Sequence, residues 1–149
     1  MATFKSDIYT TQSAVTGDNR ADGRLLSGKV RQAVATVTLA GTEAATDTIN
    51  LVELPQGALI DPSQSFVQAE NPGTALVVDA GVPSDVDALT PTELTLSSGG
   101  KVFFDTSADE VPLYEVAAGD ELVSLTVNTA TSLTASAKIR VVITFIDRN

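Results

Sequence analysis

Three acidic pairs, Asp85 with Asp87, Asp109 with Glu110 and Asp120 with Glu121, are the side chains of this sequence best placed to do chemistry. Each stands in or beside a turn. Several hard oxygens from one loop are what a Ca²⁺ ion requires. None of the pairs follows the D-x-[DN]-x-[DN]-G spacing with its distal Glu, however, and acids at turns also serve as caps and turn formers. Histidine and cysteine are both absent from the 149 residues. That removes the usual general base, the Ser-His-Asp and Cys-His triads, and the common zinc ligands. Two facing carboxylates can hydrolyse a glycoside without histidine, but they need a surface on which sugar rings stack. With no Trp, two Tyr and five Phe, the chain has little from which to build one. Gly99-Gly100 falls in a hairpin pattern rather than between a strand and a helix, so it is no phosphate loop. The expectation is a non-enzymatic protein with no catalytic residue, no cofactor and no metal.

Charge is the next constraint. The chain has nine basic and nineteen acidic residues, a formal net charge of −10. The bases crowd toward the N-terminus, where Lys5, Arg20, Arg24, Lys29 and Arg31 face only Asp7, Asp18 and Asp22. The remaining body is strongly acidic and repels phosphate, which argues against nucleic acid as a partner. No apolar stretch approaches the ~18 residues of a membrane helix, and the start lacks the apolar core of a signal peptide. Synthesis in the cytoplasm without membrane insertion is therefore expected.

The elements around these residues are short strands. Residues 1–28 lack periodicity and are rich in Ser, Thr, Asp and Asn, with Phe4, Ile8, Tyr9 and Val15 as isolated apolar residues. Too little apolar surface is present to offset ordering entropy, so an extended arm held only by a partner is expected. From Lys29 the pattern changes. Lys29 to Gly41 alternates Ala33, Ala35, Val37 and Leu39 against Val34, Thr36 and Thr38. Asp47 to Pro55 alternates and then drifts at Val52 and Leu54, as beside a bulge. GALID and SFVQ flank Pro62, and Thr74 to Gly81 reads as a buried strand. Thr92 to Asp105 reads as a hairpin turning at Ser97–Gly100. Glu121 to Val127 aligns Val123, Leu125 and Val127. Lys138 to Asp147 puts Ile139, Val141, Ile143 and Phe145 on one face. Its other face changes from Lys138 and Arg140 to Val142 and Ile146, as if a neighbour covered that end. Pro83 to Leu89 alone suggests a helical turn. About eight short strands predict a single all-β sandwich or jelly-roll domain over 29–149, preceded by the arm at 1–28.

The order of these elements resembles the capsid decoration (cement) proteins of tailed bacteriophages. The resemblance runs from DTINLVELPQGALI (Asp47 to Ile60) through VPSDVDAL (Val82 to Leu89) and SSGGKVFF (Ser97 to Phe104). It continues through YEVAAGDELVSLTV (Tyr114 to Val127) to AKIRVVITFID (Ala137 to Asp147), in all roughly residues 30 to 147. It implies a jelly-roll virion protein on the outer capsid surface that binds the major capsid protein and itself, often as a homotrimer, and clamps neighbouring capsomers. In that picture Phe4, Ile8 and Tyr9 anchor the arm while Arg20, Arg24, Lys29 and Arg31 meet an acidic shell. The same bases could equally be ordinary solvated charge, since surface ion pairs contribute little. A tail-fibre, receptor-binding or carbohydrate-binding sandwich, or another minor virion subunit, is the alternative function. A receptor- or sugar-binding module would be expected to carry exposed loop aromatics, which this chain lacks.

Overall fold

A computed structural model of the chain describes residues 29–96, 100–105 and 112–148, and the arm at 1–28 lies outside the described residues. The described residues form ten strands and no helix: β1 (Lys29–Thr38), β2 (Thr48–Glu53), β3 (Leu59–Ile60), β4 (Phe66–Ala69), β5 (Gly73–Gly81), β6 (Leu94–Leu96), β7 (Lys101–Phe103), β8 (Tyr114–Glu115), β9 (Leu122–Leu133) and β10 (Lys138–Asp147). They lie in two sheets. One holds β7-β4-β10-β3-β8 with β1 along the other side of β10, and the second runs β2-β9-β5-β6. The protein is an all-β sandwich.

The pairing follows one rule. β1 pairs with β10, β2 with β9, β3 with β8, β4 with β7 and β5 with β6, all antiparallel. The chain is thus one long hairpin, closed at β5–β6 and rolled up. Contacts of β10 with β3 and β4, and of β9 with β5, close the roll. This is jelly-roll winding.

β3 and β4 together serve as one strand beside β10, interrupted by a turn at Pro62. A proline cannot donate to a ladder, so the ladder breaks there. The Asp61 carboxylate accepts from the Ser63 and Gln64 amides at 3.0 and 3.3 Å, forming the turn. Fully buried Ser65 then replaces the missing ladder bonds. Its hydroxyl donates to the Asp61 carbonyl at 2.7 Å and accepts from the Thr144 amide at 3.0 Å.

The inner faces of both sheets supply the core. Ile139, Val141 and Ile143 of β10 meet Leu76, Val78, Val123 and Leu125 of the opposite sheet, with Ile60, Val67, Leu89 and Phe104 filling between. The expected alternation in β1, β9 and β10 is present, and the drift in β2 is a register shift between Asn50 and Val52. β5 is not buried on both sides. It alternates, with Leu76, Val78 and Ala80 inward and Val77 and Asp79 half-buried.

Two further local expectations are corrected. β6 and β7 are not a hairpin: β6 pairs with β5 in one sheet and β7 with β4 in the other. Leu94, Leu96 and Phe104 all reach the core, but from opposite sheets. Residues 82–89 form turns rather than a helical turn. Val82 and Asp85 exchange backbone hydrogen bonds at 2.9 and 3.0 Å, and the segment packs tightly on the end of β5. A Cβ on Gly81 would lie 2.3 Å from the Asp85 carbonyl oxygen, so only glycine fits there.

Candidate interaction face

Of the residues expected to dock, Phe4, Ile8, Tyr9, Arg20 and Arg24 lie outside the described residues. Lys29 and Arg31 lie at the start of β1. Arg31 stands opposite Phe145 and its Nε is 3.0 Å from the Asp147 carboxylate, so its charge is partly matched within the chain. The described residues therefore bring together only these two of the expected set.

A larger surface emerges on the outer face of the six-stranded sheet. Residues directly opposite in an antiparallel ladder share a face. Val34 stands opposite Val142, Val142 opposite Phe66, and Phe66 opposite Phe103. One apolar row thus crosses four strands. Val34 is 55% exposed and Phe103 40%, whereas Val142 in the middle is only 3% exposed. The Phe66 and Phe103 rings meet edge to face, with centroids 5.7 Å apart, and Lys101 Nζ lies 4.4 Å over the Phe66 ring. Each contact contributes roughly 0.5–1 kcal/mol at such a site and holds the aromatic end in place.

The next row is polar and basic: Thr36, Arg140, Gln68 and Lys101 stand opposite one another in turn. Lys138 follows opposite Thr38. A shallow groove of about 410 Å³ opens among Thr36, Gln68, Glu70, Lys138 and Arg140. On the far side of the apolar row, Gln32 donates to the Thr144 hydroxyl at 3.2 Å. Beyond it Val30, 70% exposed, stands opposite Ile146. Of the six bases among the described residues, Lys101, Lys138 and Arg140 stand on this face, while Lys29 and Arg31 alternate with the outward residues of β1 and Arg148 pairs with Glu115. Such a face can bind an acidic protein surface with an apolar centre.

Sequence reasoning missed Val34, Phe66, Phe103, Lys101 and Arg140 as a set. The signal was partial: Val142 and Ile146 on the polar side of β10 marked a covered face, but the register that aligns Phe66 and Phe103 with them is not written locally.

The acidic turn residues do other work. Asp120, almost fully buried, accepts from the Ser84 hydroxyl at 2.7 Å and the Ser84 amide at 3.2 Å, tying the 82–89 segment to the turn before β9. A hydrogen bond with Asp87 raises the pKa of the Asp85 carboxyl, helped by partial desolvation and repulsion from Asp87. Burial raises the pKa of the Tyr114 hydroxyl, and the nearby Asp120 charge adds to this. Among the described residues, no group of three or more acidic side chains is arranged to hold a metal ion. Asp109 and Glu110 lie outside them.

Fold and surface together define a jelly-roll sandwich with one apolar and basic outer face. No family model and no curated protein matches the sequence. In fold, the chain is similar to a solved chain from the cyanophage Pam1 capsid asymmetric unit. The TM-score is 0.56 at 19% sequence identity, covering 80% of this chain and 86% of that one.

Proposed function

We propose that this protein is a non-enzymatic structural component of a phage virion. It binds the outside of the capsid through the outer face of its six-stranded sheet and clamps neighbouring capsomers, acting as a homo-oligomer. The observation that carries this reading is the apolar row from Val34 to Phe103 flanked by Arg140, Lys138 and Lys101. The row is exposed at its two ends, Val34 and Phe103, on a chain whose other charge is overwhelmingly acidic. The likeness in fold to a chain of a cyanophage capsid supports the setting. A ligand that binds only the assembled shell stabilises it by mass action, about 2.7 kcal/mol per site at a hundredfold excess over Kd. Joining several modest contacts in one oligomer raises avidity by orders of magnitude.

Co-sedimentation with expanded, undecorated phage heads tests the reading. The full chain is expected to pellet with heads at fixed stoichiometry, and a Lys101→Glu/Arg140→Glu double variant is expected to stay in the supernatant. Failure of the full chain to bind heads of its own phage would remove the decoration role. Equal binding by the double variant would move the contact to another face.

A further inference from the structure

The edges of the two sheets are unequal. β7 and β6 are three residues long, β8 is two, and β2 carries a bulge. Short strands and bulges are how sheet edges are kept from pairing with other chains. β1 has neither device. It runs ten residues in unbroken register with β10, and among the described residues no strand pairs with its other side.

The direction of its backbone groups can be read from its end. The Leu39 amide donates to the Ala137 carbonyl at 2.8 Å, and the Leu39 carbonyl accepts from the Ser136 amide at 2.9 Å, so Leu39 turns both groups toward β10. Groups alternate along a strand. Hence Val30, Gln32, Val34, Thr36 and Thr38 direct their N–H and C=O groups to the outer edge. Their side chains also lie on the outer face, opposite Ile146, Thr144, Val142, Arg140 and Lys138.

We infer that β1 pairs with β1 of a second copy, antiparallel about a two-fold axis through Val34. Three features single out this occupant and register. Centred on Val34, all five edge-directed residues find partners: Val30 with Thr38, Gln32 with Thr36, and Val34 with its own counterpart. Arg31 of each copy falls opposite Val37, which holds the two guanidinium groups toward opposite ends of the interface. The apolar row also becomes continuous, with the exposed Val34 of each copy covered by the other and each row running out to its Phe66 and Phe103. Two copies joined in this way differ from the three that the sequence resemblance implies. The inference deepens the self-association within the proposed function, yet it needs no capsid for its test.

Sedimentation velocity of the full chain across micromolar concentrations, together with three variants, decides it. A reversible dimer is expected. Because the sequence has no cysteine, Val34→Cys reports the register directly. Facing residues of this pair type lie about 5.5 Å apart at Cα, within the roughly 4.4–6.8 Å that a disulfide spans. Val34→Cys should therefore oxidise to a covalent dimer, while Val30→Cys, opposite Thr38, should not. Thr36→Pro removes an edge N–H and should weaken the dimer at least tenfold with an unchanged far-UV spectrum. Should that variant fail to fold, Val34→Lys, at an already exposed position, is expected to give the same loss. A monomer at all concentrations, including one whose edge is filled by its own chain or awaits a capsid strand, overturns the inference. So does a trimer, or a dimer that cross-links equally through Val30→Cys. Head binding by such a chain would leave the decoration reading standing.

Discussion

The two outer faces of this sandwich are built on the same backbone plan and differ in almost every side chain. On the four-stranded sheet, Thr48, Thr126 and Asp79 form one row, and Thr129, Val77 and Thr95 another. Asn128 occupies the register shift between them and donates to Asp79 at 2.7 Å and Glu93 at 3.0 Å. Hydroxyls, amides and acids cover this face, and no base stands among its strands. Water satisfies such a surface completely. The six-stranded sheet instead presents valines, phenylalanines and cations, which water serves poorly at the centre and well at the rim. The difference shows that the inward faces specify the fold, while the outward faces are free to diverge.

The comparison can be broken most severely at Val142, which lies on the outer face between Val34 and Phe66 yet is only 3% exposed. Val142→Asp places an unpaired charge there and is expected to cost roughly 3–5 kcal/mol in urea unfolding. Thr129→Asp, on the exposed outer row of the other sheet, should stay within about 0.5 kcal/mol. A smaller effect, on binding rather than stability, is expected for Phe103→Ser. Retention on heads should fall about tenfold, equivalent to ~1.4 kcal/mol, with the melting temperature shifted by only a few degrees. Asn128→Ala sharpens the contrast from the other side. Losing its two hydrogen bonds should lower stability by about 1 kcal/mol and leave head binding unchanged in the same assay.

The smallest expected effect is in pH dependence. The Asp85 pKa is raised in the folded state, so the native protein holds that proton more tightly than the unfolded chain. Its contribution therefore favours folding increasingly as pH falls through the raised value toward 3.8. Glu43 acts oppositely. Burial pushes its pKa up, but hydrogen bonds from the Ala40 and Gly41 amides and nearby backbone outweigh this and lower it. Its stabilisation is present above the ordinary carboxylate value and is lost as pH falls through the lowered one. Melting curves between pH 7 and 3 should show Asp85→Asn removing the acid-side gain, and Glu43→Gln removing part of the acid-side loss.

Much of the fold was legible because burial on one side writes a period of two. β1 and β10 could be read almost to their ends, and Pro62 marked the break between β3 and β4. Where both faces are wet the signal vanishes. β9 continues through Asn128 to Leu133, a mostly polar stretch (Asn-Thr-Ala-Thr-Ser-Leu) whose apolar residues, Ala130 and Leu133, mark no clear inward face. The supposed hairpin at 94–104 failed for another reason: two strands with matching inward leucines and aromatics read alike whether they face the core from one sheet or from two. The candidate interaction face was the least legible. Phe66 and Phe103 are far apart in sequence and join Val34 only through β10, so their adjacency is a property of register. Phe103 carried a hint, since it stands beside Phe104, and two neighbours in a strand cannot both point inward.

The nested pairing has a consequence for how the molecule comes into being. The first described strand finds its place only against the last, so the six-stranded sheet lacks its central strand until the final residues of the domain have been synthesised. Until then β1 lacks the strand it pairs with. Such long-range closure is slow, in the millisecond-to-second range for β proteins of this kind, and leaves sticky intermediates exposed while it waits. Shortening the chain within β10 should therefore yield aggregated protein rather than a smaller folded domain.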